Sequence, residues 1–377
     1  MTEPQRRSRL RAGRVWVERS PPLHLLLGIV GALVLVGVVM VFSASAAGRS
    51  VADGAAATVL VRHLVFLGGG AVTFLIGMWV APARIRAWTP VLLLGCLAAL
   101  VAVLVPGIGE VRGGARRWIS IGGLTVQPGE VAKTVLLLWG AHVLALRGRA
   151  VRHGAHAVLP VVPVGLLMAA LLMLQPALST TVALGVILLA LLWFAGAPGR
   201  LLGGLCAGAV LGVAALGATA GYRRDRISTF LSTGDELGTG YQSRQALLSL
   251  ADGGVFGAGL GQGRAKWDYL PNAANDFIFA VIGEELGLIG ALAVLALYGV
   301  LAWVGLRIAA RTEDSFLRIV SAATATWLVA QAAMNIGYVV GLLPVTGQQL
   351  PLISAGGTAL VSSMFLLGLL ANAARRL

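Results

Sequence analysis

The chain has 377 residues, 58% of them hydrophobic and only 12% charged, against roughly 25% charged in an ordinary soluble domain. That balance excludes a soluble globular protein and excludes intrinsic disorder, which needs low hydrophobicity and high charge. The net charge of +14 does not mark a nucleic-acid binder, because the basic residues lie mostly in short gaps between apolar runs, with no basic helix face interleaved with aromatics.

The N-terminal segment Met1–Ser20 carries six arginines ahead of an apolar run too long for a signal-peptide core, and is expected to be a basic cytoplasmic tail. Residues 21–377 are expected to form one membrane domain. A membrane-crossing helix needs about 20 largely apolar residues. Ten stretches come near this: Leu23–Phe42, Leu64–Ala81, Thr89–Val105, Val131–Leu146, Val158–Leu174, Leu178–Ala195, Leu201–Ala220, Phe277–Leu306, Ile319–Leu342 and Leu352–Ala371. With both termini inside, seventeen of the basic residues fall in inner segments. Most of those left outside belong to two long loops, and it is short loops that set orientation. An N-in, C-in arrangement follows, with the loops Gly107–Val126 and Tyr222–Asn275 facing outward. Long structured loops are where binding and catalysis usually sit. Cys96 and Cys206 fall inside apolar runs and are expected to be buried structural thiols, which leaves out disulfide and zinc chemistry. The small residues of Gly203–Gly217 are expected to pack within the bundle.

Ionisable residues at membrane depth are functional candidates, since each costs about 2.5–3.5 kcal/mol to insert. Glu130 and Lys133 lie three apart, hence on one helix face. They form either a neutralising ion pair or a cationic lysine held in an outward cavity for an anionic substrate. Asp276 follows Asn275, a good N-cap residue, and so reads as a first-turn carboxylate favoured by the helix dipole. It equally reads as a general base beside the longest loop. On a continuous helix Glu284 lies about 80° around from Asp276, and Glu285 on the opposite face, which makes Glu284 the expected partner. Arg116 and Arg117 with Trp118 suit phosphate binding by paired guanidinium groups, while Arg223, Arg224 and Arg226 read as a solvated loop face.

Several motifs extend these readings. They are Gly-Ala-Arg-Arg-Trp-Ile (114–119), Gln-Pro-Gly-Glu-Val-Ala-Lys (127–133), a glycine-rich run over 240–263, Asp-Phe-Ile-Phe-Ala-Val-Ile-Gly-Glu-Glu-Leu-Gly (276–287), Leu-Leu-Pro-Val-Thr-Gly (342–347) and Leu-Pro-Leu-Ile-Ser-Ala-Gly-Gly (350–357). From first span to last the chain resembles the SEDS family (shape, elongation, division and sporulation), and is most similar to its actinobacterial division branch. The resemblance implies an all-α integral membrane protein, a bundle of about ten helices with a large extracytoplasmic loop before the eighth. It implies a glycosyltransferase that polymerises lipid II into β-1,4 glycan strands of peptidoglycan at the outer face of the cytoplasmic membrane, at the division septum. The implied partners are a class B penicillin-binding protein and other divisome membrane proteins.

The resemblance places the family's catalytic aspartate at Asp276 and puts Glu130 and Lys133 in its Gln-Pro-Ser-Glu-x-x-Lys motif. With Arg116, Arg117, Trp118 and Glu284, the motif residues Lys266 and Ser354 complete the expected substrate-binding set. No cofactor is evident, though a divalent cation, Mg or Mn, is an alternative source of positive charge at the leaving pyrophosphate. Three positions depart from the family pattern: Ala177 stands where Asp is common, Ala274 where His is common and Gly129 where Ser is usual. Two rival readings stay open, a flippase for the lipid-linked precursor and a catalytically impaired scaffold for the penicillin-binding protein.

Overall fold

The computed structural model describes residues 22–45, 55–112, 114–152, 158–219, 239–264 and 270–377. The expected N-terminal tail, the arginines at 223, 224 and 226, and Lys266 lie outside the described residues. The described chain runs α1 (Pro22–Ser45), α2 (Ala55–Trp79), α3 (Pro82–Ala102), β1 (Gly109–Arg112), β2 (Ala115–Ile121), β3 (Leu124–Val126), α4 (Pro128–Arg147), α5 (Val161–Leu174), α6 (Leu178–Ala195), α7 (Gly199–Thr219), α8 (Thr239–Gly253), α9 (Ile278–Arg311), α10 (Ser315–Val339) and α11 (Gly357–Ala374).

Each of the ten expected stretches overlaps one helix. Among the described residues eight helices are long and apolar enough to cross a membrane, while α5 and the first part of α7, Gly199–Gly212, are apolar but shorter. The bounds move where local chemistry overrides hydropathy. α2 begins nine residues before the expected Leu64 and takes Arg62 and His63 into its first turns. Pro82 starts α3 at the first helical position, where its missing N–H costs nothing, so Arg84 and Arg86 are helical and not in a loop.

Neither long loop is structureless. The first folds into an antiparallel meander, with Gly109 opposite Ile119 and Ile119 opposite Val126. The second contains α8. The expectation for α7 is corrected: Val210 and Leu211 are more than two-thirds exposed, and an added Cβ at Gly203, Gly204, Gly208 or Gly212 would meet nothing within 4 Å. Cys206 on that helix is exposed, while Cys96 is buried as expected.

The centre of the bundle is α10, which packs against α4, α6, α9 and α11. It buries Trp327 and Tyr338 completely, and Lys133 of α4 is as deeply buried as either. α9 is broken at Gly287, whose φ of 68° lies in the left-handed region. The carbonyls of Glu284 and Glu285, freed at the break, accept hydrogen bonds from the N–H groups of Ala258 and Gly259, at 2.9 and 3.1 Å. A Cβ at Gly257 would collide with the Glu285 carbonyl, and one at Gly287 with the Gly257 N–H. The glycine-rich run is therefore a clasp that needs bare backbone to close on the broken helix.

Candidate active site

Where α1 ends and α2, α4, α6 and α11 begin, the bundle encloses a cavity of about 730 Å³. Its charged and aromatic lining comes from Arg62, His63 and Phe66 of α2, Arg117 and Trp118 of β2, Glu130 of α4, and Asp276. The remaining wall is mostly irregular chain, the segments 270–276, 347–349 and 355–357.

Asp276 does not sit in a helical first turn. The helix begins at Ile278, and its N-cap position is Phe277, with no side-chain cap. Asp276 instead lies in the preceding turn, where its N–H reaches the Asn272 carbonyl at 3.1 Å. Its own carbonyl accepts from Asn335 Nδ2 at 2.8 Å and from the Tyr338 hydroxyl at 2.6 Å. The same two side chains reach the Gln348 carbonyl, at 2.6 and 2.7 Å, the single Tyr338 proton being shared between the two oxygens. Gln331, one turn before Asn335, donates to the Gln349 carbonyl at 2.9 Å. Gln331, Asn335 and Tyr338 share one face of α10 and tie both irregular walls to the rigid centre of the bundle. The carboxylate stands over Gly347, 3.3 Å from where a Cβ there would lie. None of the three α10 residues figured in the expected set, although polar groups spaced by four and three in an otherwise apolar span were a readable sign.

Glu130 and Lys133 pair at 2.8 Å, but their positions differ. Glu130 lines the cavity, whereas Lys133 is fully buried behind it. Lys133 Nζ also reaches Gln331 Oε1 at 3.2 Å and lies over the Trp327 ring, 5.1 Å from its centroid. Of the two readings of this pair, the structure shows the neutralising ion pair, with Lys133 outside the cavity lining. Its ammonium is spent on Glu130 and Gln331, and through Gln331 it bears on the wall at Gln349.

The paired arginines separate as well. Arg117 and Trp118 face the cavity, whereas Arg116 turns back to the Leu104 carbonyl at 3.4 Å. Glu284 does not line the cavity with Asp276: the helix starts only at Ile278, so the continuous-helix angle does not apply to Asp276, and the Glu284 carboxylate accepts the Arg264 N–H. Glu285 accepts from the Ser43 hydroxyl on both oxygens, at 2.8 and 2.7 Å, which fastens α1 to α9. Ser354 is buried behind the wall. Its hydroxyl takes the Leu350 N–H at 2.8 Å and donates to the Asn275 carbonyl at 2.6 Å.

Of the departures, Ala274 lies in the cavity wall and Ala177 is buried. At Gly129 a Cβ would stand 3.0 Å from Leu172 and 3.2 Å from Thr180, so those side chains occupy the room. Sequence reasoning missed Arg62 and His63, which lie just before the expected start of the second span at Leu64. Arg62 donates to Thr125 Oγ1 of β3, joining α2 to the sheet.

A family model described as a cell cycle protein, built on FtsW, RodA and SpoVE, matches residues 23–377. The chain belongs to the FtsW/RodA/SpoVE family. It is 46% identical over 375 residues to a Mycobacterium tuberculosis protein named as a probable peptidoglycan glycosyltransferase FtsW, covering 98% of this chain and 71% of that one. It is 35% identical to the stage V sporulation protein E of Bacillus subtilis over 95% of this chain and 98% of that one. Among solved structures, a chain of a peptidoglycan synthase complex that coordinates polymerization and crosslinking superposes with a TM-score of 0.76 at 29% identity, covering 93% of this chain and 97% of the other. Thermus thermophilus RodA superposes with a TM-score of 0.68 at 28% identity, covering 93% and 95%. Membership of the FtsW/RodA/SpoVE family accounts for the multi-pass architecture and for the agreement of the motifs along the whole chain.

Proposed function

We infer that the protein is a peptidoglycan glycosyltransferase that polymerises lipid II, with the cavity as its active site and the cavity end of the bundle facing outward. The observation that carries this is the placement of Asp276. A carboxylate on a main chain tied to α10 shares one cavity with two guanidinium groups, those of Arg62 and Arg117. In this reading Asp276 takes the proton from the 4-hydroxyl of a lipid II GlcNAc as that oxygen attacks the anomeric carbon of the lipid-linked MurNAc. The bond to pyrophosphate breaks and the undecaprenyl pyrophosphate leaves. Attack from the opposite face converts the α-linked donor into a β-1,4 product, as in inverting hydrolysis with a sugar hydroxyl in place of water.

The leaving group needs positive charge where negative charge develops. Arg117 and Arg62 supply it from the cavity wall, and the sealed Lys133 does not. A divalent cation held between a cavity carboxylate and the pyrophosphate would add to that charge. The solved relative from a complex that couples polymerization to crosslinking supports a class B penicillin-binding protein as partner; other divisome membrane proteins and a place at the septum are part of the proposal through the likeness to FtsW.

The test is glycan polymerisation from lipid II by the purified protein with its cognate penicillin-binding protein. Asp276→Asn is expected to abolish product while the melting temperature stays close to wild type, because the substitution keeps the main-chain oxygen on which Asn335 and Tyr338 are hydrogen-bonded. Polymerisation by the Asn variant at the wild-type rate would overturn the assignment of the base.

A further inference from the structure

One cavity residue has no role in the reaction as drawn. His63 of α2 is 4% exposed, yet it lines the cavity and its Nδ1 is fully shielded from solvent with no hydrogen-bond partner among the described residues. Native proteins pair nearly all buried polar side-chain atoms, so an imidazole held unpaired in a cavity wall asks what pairs it. The neighbouring groups are already assigned. Arg62 is engaged with Thr125 and lies over Phe66, 5.8 Å from the ring centroid. Glu130 holds Lys133.

We propose that His63 is a substrate-binding residue, hydrogen-bonded through Nε2, the ring nitrogen that is not among the shielded atoms, to a hydroxyl or acetamido group of the lipid-linked amino sugar. The proposal rests on the glycosyl-transfer reading above. Chemistry selects the sugar over the phosphates. The guanidinium groups of Arg62 and Arg117 match pyrophosphate oxygens, which only accept. With Nδ1 shielded only Nε2 meets the ligand, and hydroxyl and amide groups pair with it in either tautomer of the neutral ring because they both donate and accept, whereas phosphate oxygens only accept. Trp118, in the same lining, offers an apolar ring to the sugar's C–H edges.

The experiment measures binding of two ligands, lipid II and undecaprenyl pyrophosphate, to the purified full chain in lipid nanodiscs. The variants are His63→Leu, which fills similar space without polar atoms, and His63→Gln, which restores a donor and an acceptor. His63→Leu is expected to weaken lipid II binding about tenfold, the worth of one good hydrogen bond. Undecaprenyl pyrophosphate binding should stay unchanged, and His63→Gln should recover most of the loss. In polymerisation the Leu variant should raise KM more than it lowers kcat. Unchanged lipid II binding in His63→Leu overturns the proposal. So does equal weakening of both ligands, which is what a purely structural histidine would produce. Failure of the wild-type protein to bind lipid II would instead overturn the glycosyl-transfer reading itself, and is told apart because it appears without any substitution.

Discussion

Removing the ammonium of Lys133 leaves a carboxylate at the cavity edge without its counter-charge and Gln331 without its partner. Breaking one side of a buried ion pair costs about 3–5 kcal/mol, whereas replacing both partners is often nearly neutral. Lys133→Ala is therefore expected to lower the melting temperature sharply and to reduce polymerisation. The double variant Glu130→Gln, Lys133→Met should recover most of the stability, which thermal unfolding of the two proteins side by side would check. A Lys133→Ala protein that melts like wild type but fails only in substrate binding would restore the lysine to the cavity. The pairing itself was legible in the sequence, since a spacing of three on a helix puts two side chains on one face. Which of the two reaches the cavity was not legible, because that depends on how deeply α10 packs against α4. Asp276 shows the converse. Its presence beside the long loop was readable, but the cap assignment failed because the helix starts two residues later and the chain before it is held by α10.

At the scale of elements, α9 reads in the sequence as one long apolar helix, and hydropathy carries no mark of the break at Gly287. The sign lay elsewhere, in the glycine-rich run before it, whose bare backbone closes on the freed carbonyls of Glu284 and Glu285. Gly287→Ala would place a methyl group against the Gly257 N–H at a φ of 68°. A non-glycine residue held in a sparsely populated backbone region costs about 1–3 kcal/mol, and the collision adds to it. The expected outcome is a lower melting temperature, with α8 and the run after it exchanging amide hydrogens faster than α10 does. Protection of residues 254–259 at the wild-type level would show that the clasp tolerates the methyl group. The ten apolar stretches were legible because each helix has to be apolar to lie in a bilayer. The sheet was not, because three short strands in a glycine-rich loop leave too little alternation to detect. α7 was misjudged for a related reason: small residues permit close packing but do not require it.

Across the whole molecule, the end opposite the cavity is fastened by side chains from distant parts of the chain. Arg375 stacks over Trp79, 3.5 Å from the ring centroid, and Asn372 donates to the carbonyls of Gly77 and Val80 at 3.0 and 2.8 Å. Arg86 of α3 forms an ion pair with Asp314, which caps α10 by accepting the Leu317 N–H at 3.0 Å. Partial burial pushes the Asp314 carboxyl up, but the Leu317 N–H and the Arg86 guanidinium outweigh it, and the net shift is downward. A carboxyl lowered in the folded state contributes stability that is present above its unfolded value, about 3.9, and is lost as pH falls through the lower folded value. Both side chains are about a third exposed, at 32% and 39%, so screening holds the contribution to roughly 1 kcal/mol or less. Arg86→Ala should thus melt slightly earlier than wild type at pH 6, with the gap closing as the solution is taken towards pH 3. A gap that persists in acid would place the stabilisation in the packing of Arg86 over the Phe316 ring, 4.9 Å away, and not in the charge. At the cavity end the fastening is of another kind. There Asn335, Tyr338 and Gln331 donate to main-chain oxygens of the wall, and every amino acid supplies one. Holding and reacting are thereby assigned to different atoms: the hydrogen bonds that carry the frame at 276 stay in place when its side chain is changed.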